Sequence, residues 1–323
     1  MTHAIRIHET GGPEVLRFEE VEVGSPGPGE ARVRQTAIGL NFIDTYHRSG
    51  LYALPLPAIP GSEAAGVVME VGPGVTEVRP GDRVAYAGPV GAYAEERLVA
   101  AQRLVPLPPG VDDRLAAAAM LKGMTAQYLL RRTHRVAAGE TVLLHSAAGG
   151  VGLIAAQWAK SLGATVIGTV STDAKAELAR GAGCDHVVVT SREDFVARVR
   201  EITRGAGVRV VYDAVGRDTF EGSLDCLAPL GLMVSFGNAS GPVPPVAPLL
   251  LAQKGSLFLT RPTLATYTAR REDLLATAAD LFSVLASGAV RVRVDATWPL
   301  REAAAAHAAL EARKTTGSTV LLP

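Results

Sequence analysis

Cysteine, aromatic residues and net charge are all scarce in this chain, and each shortage removes a class of protein. Only two cysteines, Cys184 and Cys226, occur in 323 residues. They are too few for a disulfide framework or a four-thiolate zinc site, so reduced thiols in a cytoplasmic protein are expected. The 32 basic and 32 acidic side chains cancel, which leaves no electrostatic footprint for nucleic acid. No apolar run reaches the roughly 18 residues that span a bilayer. The opening MTHAIRIHETGG lacks the apolar core and cleavage pattern of a secretory leader. His3, His8, His47, His134, His145, His186 and His307 show no ligand spacing, and are expected at the surface or hydrogen-bonded.

What is present is an ordinary globular balance, 48% hydrophobic and 20% charged, in a length that suggests about two domains. Up to residue 122 the sequence reads as β-rich. Short apolar runs (31–38, 66–71, 82–86) are broken by SPGPGE and RPGDRV, a pattern of strands and tight turns that predicts a compact β barrel. From Gly123 onward apolar strands alternate with helices. Strands are expected near 141–146, 165–170, 186–190, 208–213, 231–236 and 255–260, and helices near 124–134, 150–162, 173–181, 192–203 and 218–228. Val- and Leu-rich strands separated by helices imply a parallel sheet covered on both faces. After residue 262 a helix (270–287), a strand (290–295), a helix (301–313) and a strand (318–322) are expected to rejoin the first domain. The expected division is therefore 1–122 with 262–323, and 123–261 inserted between them.

The stretch HSAAGGVGLI (145–154) decides the function class. A strand runs into it and a helix leaves it, which is the context that gives a glycine turn its meaning. Overlaid on the dinucleotide fingerprint, the three glycine positions are Ala147, Gly149 and Gly152. Gly149 lets the backbone approach a pyrophosphate, Gly152 lets helix and strand close up, and the amides at the helix start hold the phosphates. In sites for the unphosphorylated coenzyme, an acidic residue about 20 positions on binds the ribose. Here that region holds Ser171, Thr172 and, one turn later, Lys175. Hydroxyls and a cation suit a 2′-phosphate, so NADPH is expected over NADH.

HETGGPEVL (8–16), AIGLNFIDTYHRSGLY (37–52), GSEAAGVV (61–68), PGDRVAY (80–86), AAGGVGLIAAQWAK (147–160), VRVVYDAVGRDTF (208–220), LMVSFGNASG (232–241), KGSLFLTRP (254–262) and EARKTTGS (311–318) together resemble the zinc-independent, zeta-crystallin-like NADPH:quinone oxidoreductases of the medium-chain dehydrogenase/reductase superfamily. The resemblance implies an α/β protein: a GroES-like β barrel plus a Rossmann, doubly wound six-stranded parallel sheet, with the cofactor in the cleft between them. It implies cofactor contacts at Asn41, Phe42, Ile43, Asp44 and Thr45, at Tyr128, at Ala148, Gly149, Gly150, Val151 and Gly152, and at Ser171, Thr172 and Lys175. Further contacts are implied at Val215, at Phe236, Gly237, Asn238 and Ala239, at Pro262, Thr263 and Leu264, and at Arg313. The family often has a tyrosine after the third strand of its sheet; this chain has Thr190, which leaves the NADPH preference on Ser171 and Lys175.

Zinc-dependent relatives carry a cysteine in the stretch matching AIGLN and a His-Glu pair in the stretch matching GSEAAG. Here the residues are Gly39 and Ser62–Glu63, so no metal is expected. Without a Lewis acid a saturated alcohol is a poor substrate. A quinone or an α,β-unsaturated carbonyl is already electrophilic, and the protein need only orient the reactants and steady an oxyanion. Candidates for that role are Asn41, Tyr46, Tyr52 and Arg261. The resemblance also implies a homodimer, since the last sheet strand (GSLFLT) would otherwise be an open edge. A zinc alcohol dehydrogenase is disfavoured by the missing ligands. The reading from another class is an NADPH-binding protein with a structural or RNA-binding role and little turnover; neutral charge disfavours its RNA-binding form.

Overall fold

The computed structural model describes residues 1–312 and 315–323; Arg313, an expected cofactor contact, lies outside the described residues. In chain order the elements are β1 (Thr2–Arg6), β2 (Arg17–Val21), β3 (Glu30–Leu40), α1 (Phe42–Ser49), β4 (Glu63–Val71), β5 (Arg83–Ala87), β6 (Glu96–Ala100), β7 (Val105–Pro106) and α2 (Asp113–Tyr128). Then follow β8 (Thr141–Leu144), α3 (Gly150–Ser161), β9 (Thr165–Val170), α4 (Asp173–Gly181), β10 (His186–Val189), α5 (Phe195–Ile202), β11 (Val208–Asp213), α6 (Phe220–Asp225), β12 (Leu227–Ser235), α7 (Pro248–Gln253), β13 (Phe258–Thr260) and α8 (Leu264–Tyr267). The chain closes with α9 (Arg271–Ala286), β14 (Val294–Pro299), α10 (Ala303–Glu311) and β15 (Ser318–Leu322). It divides into two compact units: Met1–Lys122 with Thr268–Phe282 and Val292–Pro323, and Gly123–Tyr267 with Ser283–Arg291.

The first unit is built on a seven-stranded sheet of order β14-β15-β3-β4-β5-β7, with β6 also on β3. Alternation explains its long strand β3: Ala31, Val33, Gln35 and Ala37 are buried while Arg34 and Thr36 face out, the period-two pattern of a half-buried strand. Ile5, Ile7, Val33, Ile38, Val84, Tyr86, Tyr93, Leu104 and Leu321 share its core. The last strand, β15, pairs antiparallel with β3, Thr319 opposite Leu40. Strand β14 begins at Val294 rather than near 290, because there Val294, Ala296 and Trp298 turn inward in alternation beside β15.

The second unit holds a six-stranded sheet in the order β10-β9-β8-β11-β12-β13, every pairing parallel. This is the strand order of a doubly wound dinucleotide-binding sheet, whose ligand crevice lies outside the carboxyl ends where the order reverses, here between β8 and β11. Val and Leu fill both faces of the central strands. The helix expected near 124 starts at Asp113 instead. Asp112 accepts from Leu115 N at 2.8 Å, so helix α2 is capped about three turns earlier, ahead of the run Ala116–Ala119, and it loosens into a π-turn at Leu129–Thr133. The unit runs past residue 262 to Tyr267 because Tyr267 stacks on Tyr128, centroids 4.6 Å apart and planes at 12°. Arg132 also donates to the Tyr267 carbonyl at 2.6 Å. Residues 283–291 belong here too: the Gln157 side chain bonds both N and O of Arg291.

Candidate functional site

In the second unit the glycine turn has the geometry the fingerprint requires. Ser146 takes a left-handed backbone, φ 57°, and the chain turns sharply, with Gly149 N on Ser146 O at 2.9 Å. A Cβ at Gly152 would lie 2.2 Å from Ser146 O, so only glycine lets the helix close on the turn. Alanine serves at the first position because the strand facing it carries Gly168; a Cβ there would lie 2.7 Å from that of Ala147. Helix α3 starts at Gly150 with no capping side chain and no acidic residue in its first turn. Uncapped amides at a helix N-terminus, approached by bare glycine backbone, fit a pyrophosphate.

Beneath the turn a buried polar network ties three strand ends together. Ser223 Oγ donates to Asp213 Oδ2 at 3.0 Å, so the 2.9 Å contact between Ser223 and His145 Nε2 has the imidazole donating. Thr169 Oγ1 then donates to His145 Nδ1 at 2.8 Å. Burial pushes the His145 pKa below its usual value, consistent with a neutral ring. Asp213 also organises two loops: its Oδ1 accepts from Val215 N and Gly216 N at 2.7 and 3.0 Å, and its carbonyl from Phe236 N and Gly237 N. Val215 and the 236–239 segment are thereby placed side by side at the carboxyl ends of β11 and β12. Gly237 must be glycine, since a Cβ would sit 2.3 Å from Ala214 O. Arg261 reaches back to Ser235 O at 2.7 Å. Pro262 is buried, and Thr263 caps the Leu264 turn by accepting from Thr266 N at 3.3 Å.

Beyond β9 lie Ser171, Thr172 and Lys175. Thr172 caps α4, accepting from Lys175 N at 3.4 Å. Thr190 bonds Val170 O through both N (2.8 Å) and Oγ1 (3.1 Å), which pins the 190–192 turn beside Ser171. That brings in a residue sequence reasoning missed: Arg192, whose guanidinium lies 2.7 Å from Asp173. The only signal for it was a basic residue two positions after Thr190.

In the first unit Asn41 caps α1 in a capping box, its side chain accepting from Asp44 N and its own N donating to Asp44 Oδ2 at 2.9 Å. The Asn41 amide donates to Glu63 Oε1 at 2.8 Å and more weakly to Gly39 O at 3.4 Å. Glu63 is fully buried and also accepts from Lys122 Nζ at 2.9 Å and Leu121 N at 2.6 Å. Asp44 is fully buried as well, with Ser62 Oγ on its Oδ1 at 2.6 Å; burial raises its pKa to about 7. Thr45 turns its hydroxyl onto Phe42 O at 2.7 Å. Phe42, Ile43 and Tyr46 are the least buried residues of α1 before its last turn. Tyr46 and Tyr52 meet edge to face at 5.3 Å, and His47 joins Tyr52 at 5.9 Å. His47 departs from the expectation for histidines: it is buried, and its Nδ1 has no hydrogen-bond partner. Tyr128, in the second unit, is buried against Tyr267, and burial drives its pKa well above the usual phenol value.

The positions that hold zinc ligands in zinc-dependent relatives do not fit a metal here. A Cβ at residue 39 would lie 2.2 Å from Ala117 O and 2.3 Å from Glu63 Oε1, so no thiol fits. Ser62 and Glu63 are committed to Asp44, Asn41 and Lys122. Among the described residues no cluster of three or more His, Cys, Asp or Glu could hold a metal, and no helix is long and apolar enough to cross a membrane.

Residues 27–109 match the family described as "Alcohol dehydrogenase GroES-like domain", and residues 150–283 match "Zinc-binding dehydrogenase". The quinone oxidoreductase of Pseudomonas aeruginosa is 55% identical over the whole of both chains. A 2-haloacrylate reductase from a Burkholderia species is 52% identical over 100% of this chain and 99% of its own. The crystal structure of Escherichia coli quinone oxidoreductase complexed with NADPH superposes with a TM-score of 0.98 at 51% identity, covering 99% of this chain and 100% of that one. With such likeness from end to end, the chain belongs to the quinone oxidoreductase family of the medium-chain dehydrogenase/reductase superfamily.

Proposed function

We propose that this protein uses NADPH to reduce a small quinone or α,β-unsaturated carbonyl compound, without a metal. The observation that carries this reading is identity of 51% or more, over essentially the full length, to quinone oxidoreductases and to a 2-haloacrylate reductase. When bound, the cofactor supplies the hydride. The chain's own residues do the rest. The amides of Ala148, Gly150, Val151 and Gly152 hold the pyrophosphate, and bare Gly149 lets the backbone approach it. Ser171, Thr172 and Lys175 take the 2′-phosphate, joined by Arg192. The Arg192–Asp173 pair is exposed, 58% and 73%, and a surface pair is worth little in stability, so exchanging Asp173 for a phosphate costs little. Val215, Phe236, Gly237, Asn238 and Ala239, with Pro262, Thr263 and Leu264, orient the nicotinamide end, and Tyr128 lies in the same unit.

From the first unit, Asn41 contributes through its side-chain oxygen, since both amide protons are engaged by Glu63 and Gly39. Phe42, Ile43 and Thr45 flank it, and Asp44 acts from within by fixing the Asn41 N–H. The hydroxyls of Tyr46 and Tyr52 donate hydrogen bonds to the acceptor oxygen as charge arrives there; Arg261 is the candidate donor of the second unit. Solvent supplies the proton that completes the product.

We place the protein in the cytoplasm, in keeping with two buried, unpaired cysteines. We also propose a homodimer. Among the described residues β13 pairs only with β12, and Phe258 on it is 61% exposed, so a second copy can extend the sheet there. The test is NADPH and NADH oxidation with a panel of quinones and enones, with and without a chelator. Metal-independent turnover favouring NADPH is expected. Thermal stabilisation by NADPH with no acceptor consumed would mark a binding protein instead, and turnover abolished by chelation would refute the mechanism.

A further inference from the structure

The core of the first unit contains a polar chain that the reading above leaves unused. Arg48, on α1 and 2% exposed, grips Glu311 at the end of α10 through Nη1 (3.0 Å) and Nη2 (2.6 Å). Its Nη1 also meets His307 Nδ1 at 3.1 Å. The other nitrogen of His307 lies 2.9 Å from Tyr93 Oη, and Tyr93 Oη donates to Asp44 Oδ2 at 3.0 Å. Arginine can only donate, so His307 Nδ1 accepts and its Nε2 carries the proton. The tautomer is therefore fixed, and every bond points one way, from Arg48 through His307 and Tyr93 to Asp44. Burial and Arg48 hold the His307 pKa down to about 3, which keeps that ring neutral.

Asp44 is where this chain ends and where the Asn41 N–H also ends. Ser62 fixes the other carboxylate oxygen. Apolar packing would hold α10 against α1 as firmly; a fully satisfied polar chain instead specifies a single arrangement. We propose that Tyr93 and His307 are positioning residues for Asn41, holding the α1 N-cap in the orientation from which Asn41 meets the cofactor. The proposal rests on the cofactor role given to Asn41 under Proposed function.

The test combines Asn41→Ala, Tyr93→Phe, their double variant, and His307→Gln against His307→Asn. Glutamine places a donor near the Nε2 position and keeps the Tyr93 link; asparagine reaches only the Nδ1 position. Tyr93→Phe should lower kcat by about tenfold, as slight misplacement does, while the Kd for 2′,5′-ADP stays within twofold of wild type. The double variant should be no slower than Asn41→Ala, because the two act as one unit. His307→Gln should stay within about threefold of wild type and His307→Asn should fall with Tyr93→Phe. Losses that multiply in the double variant, an unimpaired Tyr93→Phe, or equal losses in the two His307 variants would each overturn the relay. Full turnover in Asn41→Ala would instead overturn the contact given to Asn41. Should a His307 variant fail to fold, the Tyr93–Asn41 cycle decides alone.

Discussion

Two groups in the first unit respond to acid in opposite directions, and their compensation can be measured. Asp44 is fully buried and its carboxyl is raised from 3.8 to about 7, chiefly by desolvation. Between about pH 4 and 7 the folded protein holds a proton there that the unfolded chain has lost. The resulting stability is complete below pH 4 and disappears as pH rises to 7. At 1.36 kcal/mol per unit the span is about 4 kcal/mol. His307 is also fully buried, lowered from 6.5 to about 3 by desolvation and by Arg48. Its contribution is complete above pH 6.5 and is lost as pH falls toward 3, about 5 kcal/mol in all. From about pH 4 to 6.5 the two slopes nearly cancel. Urea unfolding across pH 4 to 7 reads this directly. Asp44→Asn removes one slope, so the variant should lose stability with acid relative to wild type by about 1.4 kcal/mol per pH unit. His307→Gln should gain with acid by a similar amount. His145 and His47 are lowered too, but they are common to wild type and variants and drop out of the difference. Parallel profiles for Asp44→Asn and wild type would show that Asp44 does not titrate in this window, and the reasoning would fail.

Three further outcomes follow from distances. Arg192→Ala should weaken 2′,5′-ADP binding about tenfold and leave 5′-AMP unchanged, with Asp173→Asn moving the other way; calorimetric titration checks both, and equal shifts for the two ligands would remove the assigned phosphate contact. Lys122→Met leaves the buried Glu63 charge unpaired and should cost about 3–5 kcal/mol, most of it restored by adding Glu63→Gln; a loss under about 1 kcal/mol in urea melts would show the pair to be weak. Gly152→Ala must open the turn at Ser146 and should cost about 1–3 kcal/mol while raising the Kd for NADPH more than tenfold; unchanged affinity would refute the role of that close approach.

Features set by local sequence were legible. The glycine turn and the alternating strands and helices of the second unit follow from residues close together in the chain, where periodicity and turn chemistry operate. The absent metal ligands could be read at Gly39 and Ser62, but not what fills their space. Contacts across long separations were hidden. Tyr93 and His307 lie 214 positions apart, and nothing local to either reports the other. Arg192 reaches Asp173 only because β9 and β10 are neighbours. The start of α2 was missed because an assumed boundary at 122 cut through a helix whose cap, Asp112, lies upstream.

The bare α-carbon at residue 39 also constrains how this protein can be redesigned. Installing a cysteine there would displace the Ala117 carbonyl and the Glu63 carboxylate together. Moving Glu63 would strand Lys122 and release Asn41, so the first step toward metal chemistry costs folding stability before a ligand is gained. No single substitution reaches a metal site here: a designer grafting zinc would have to rebuild residues 39, 41, 63 and 122 at once.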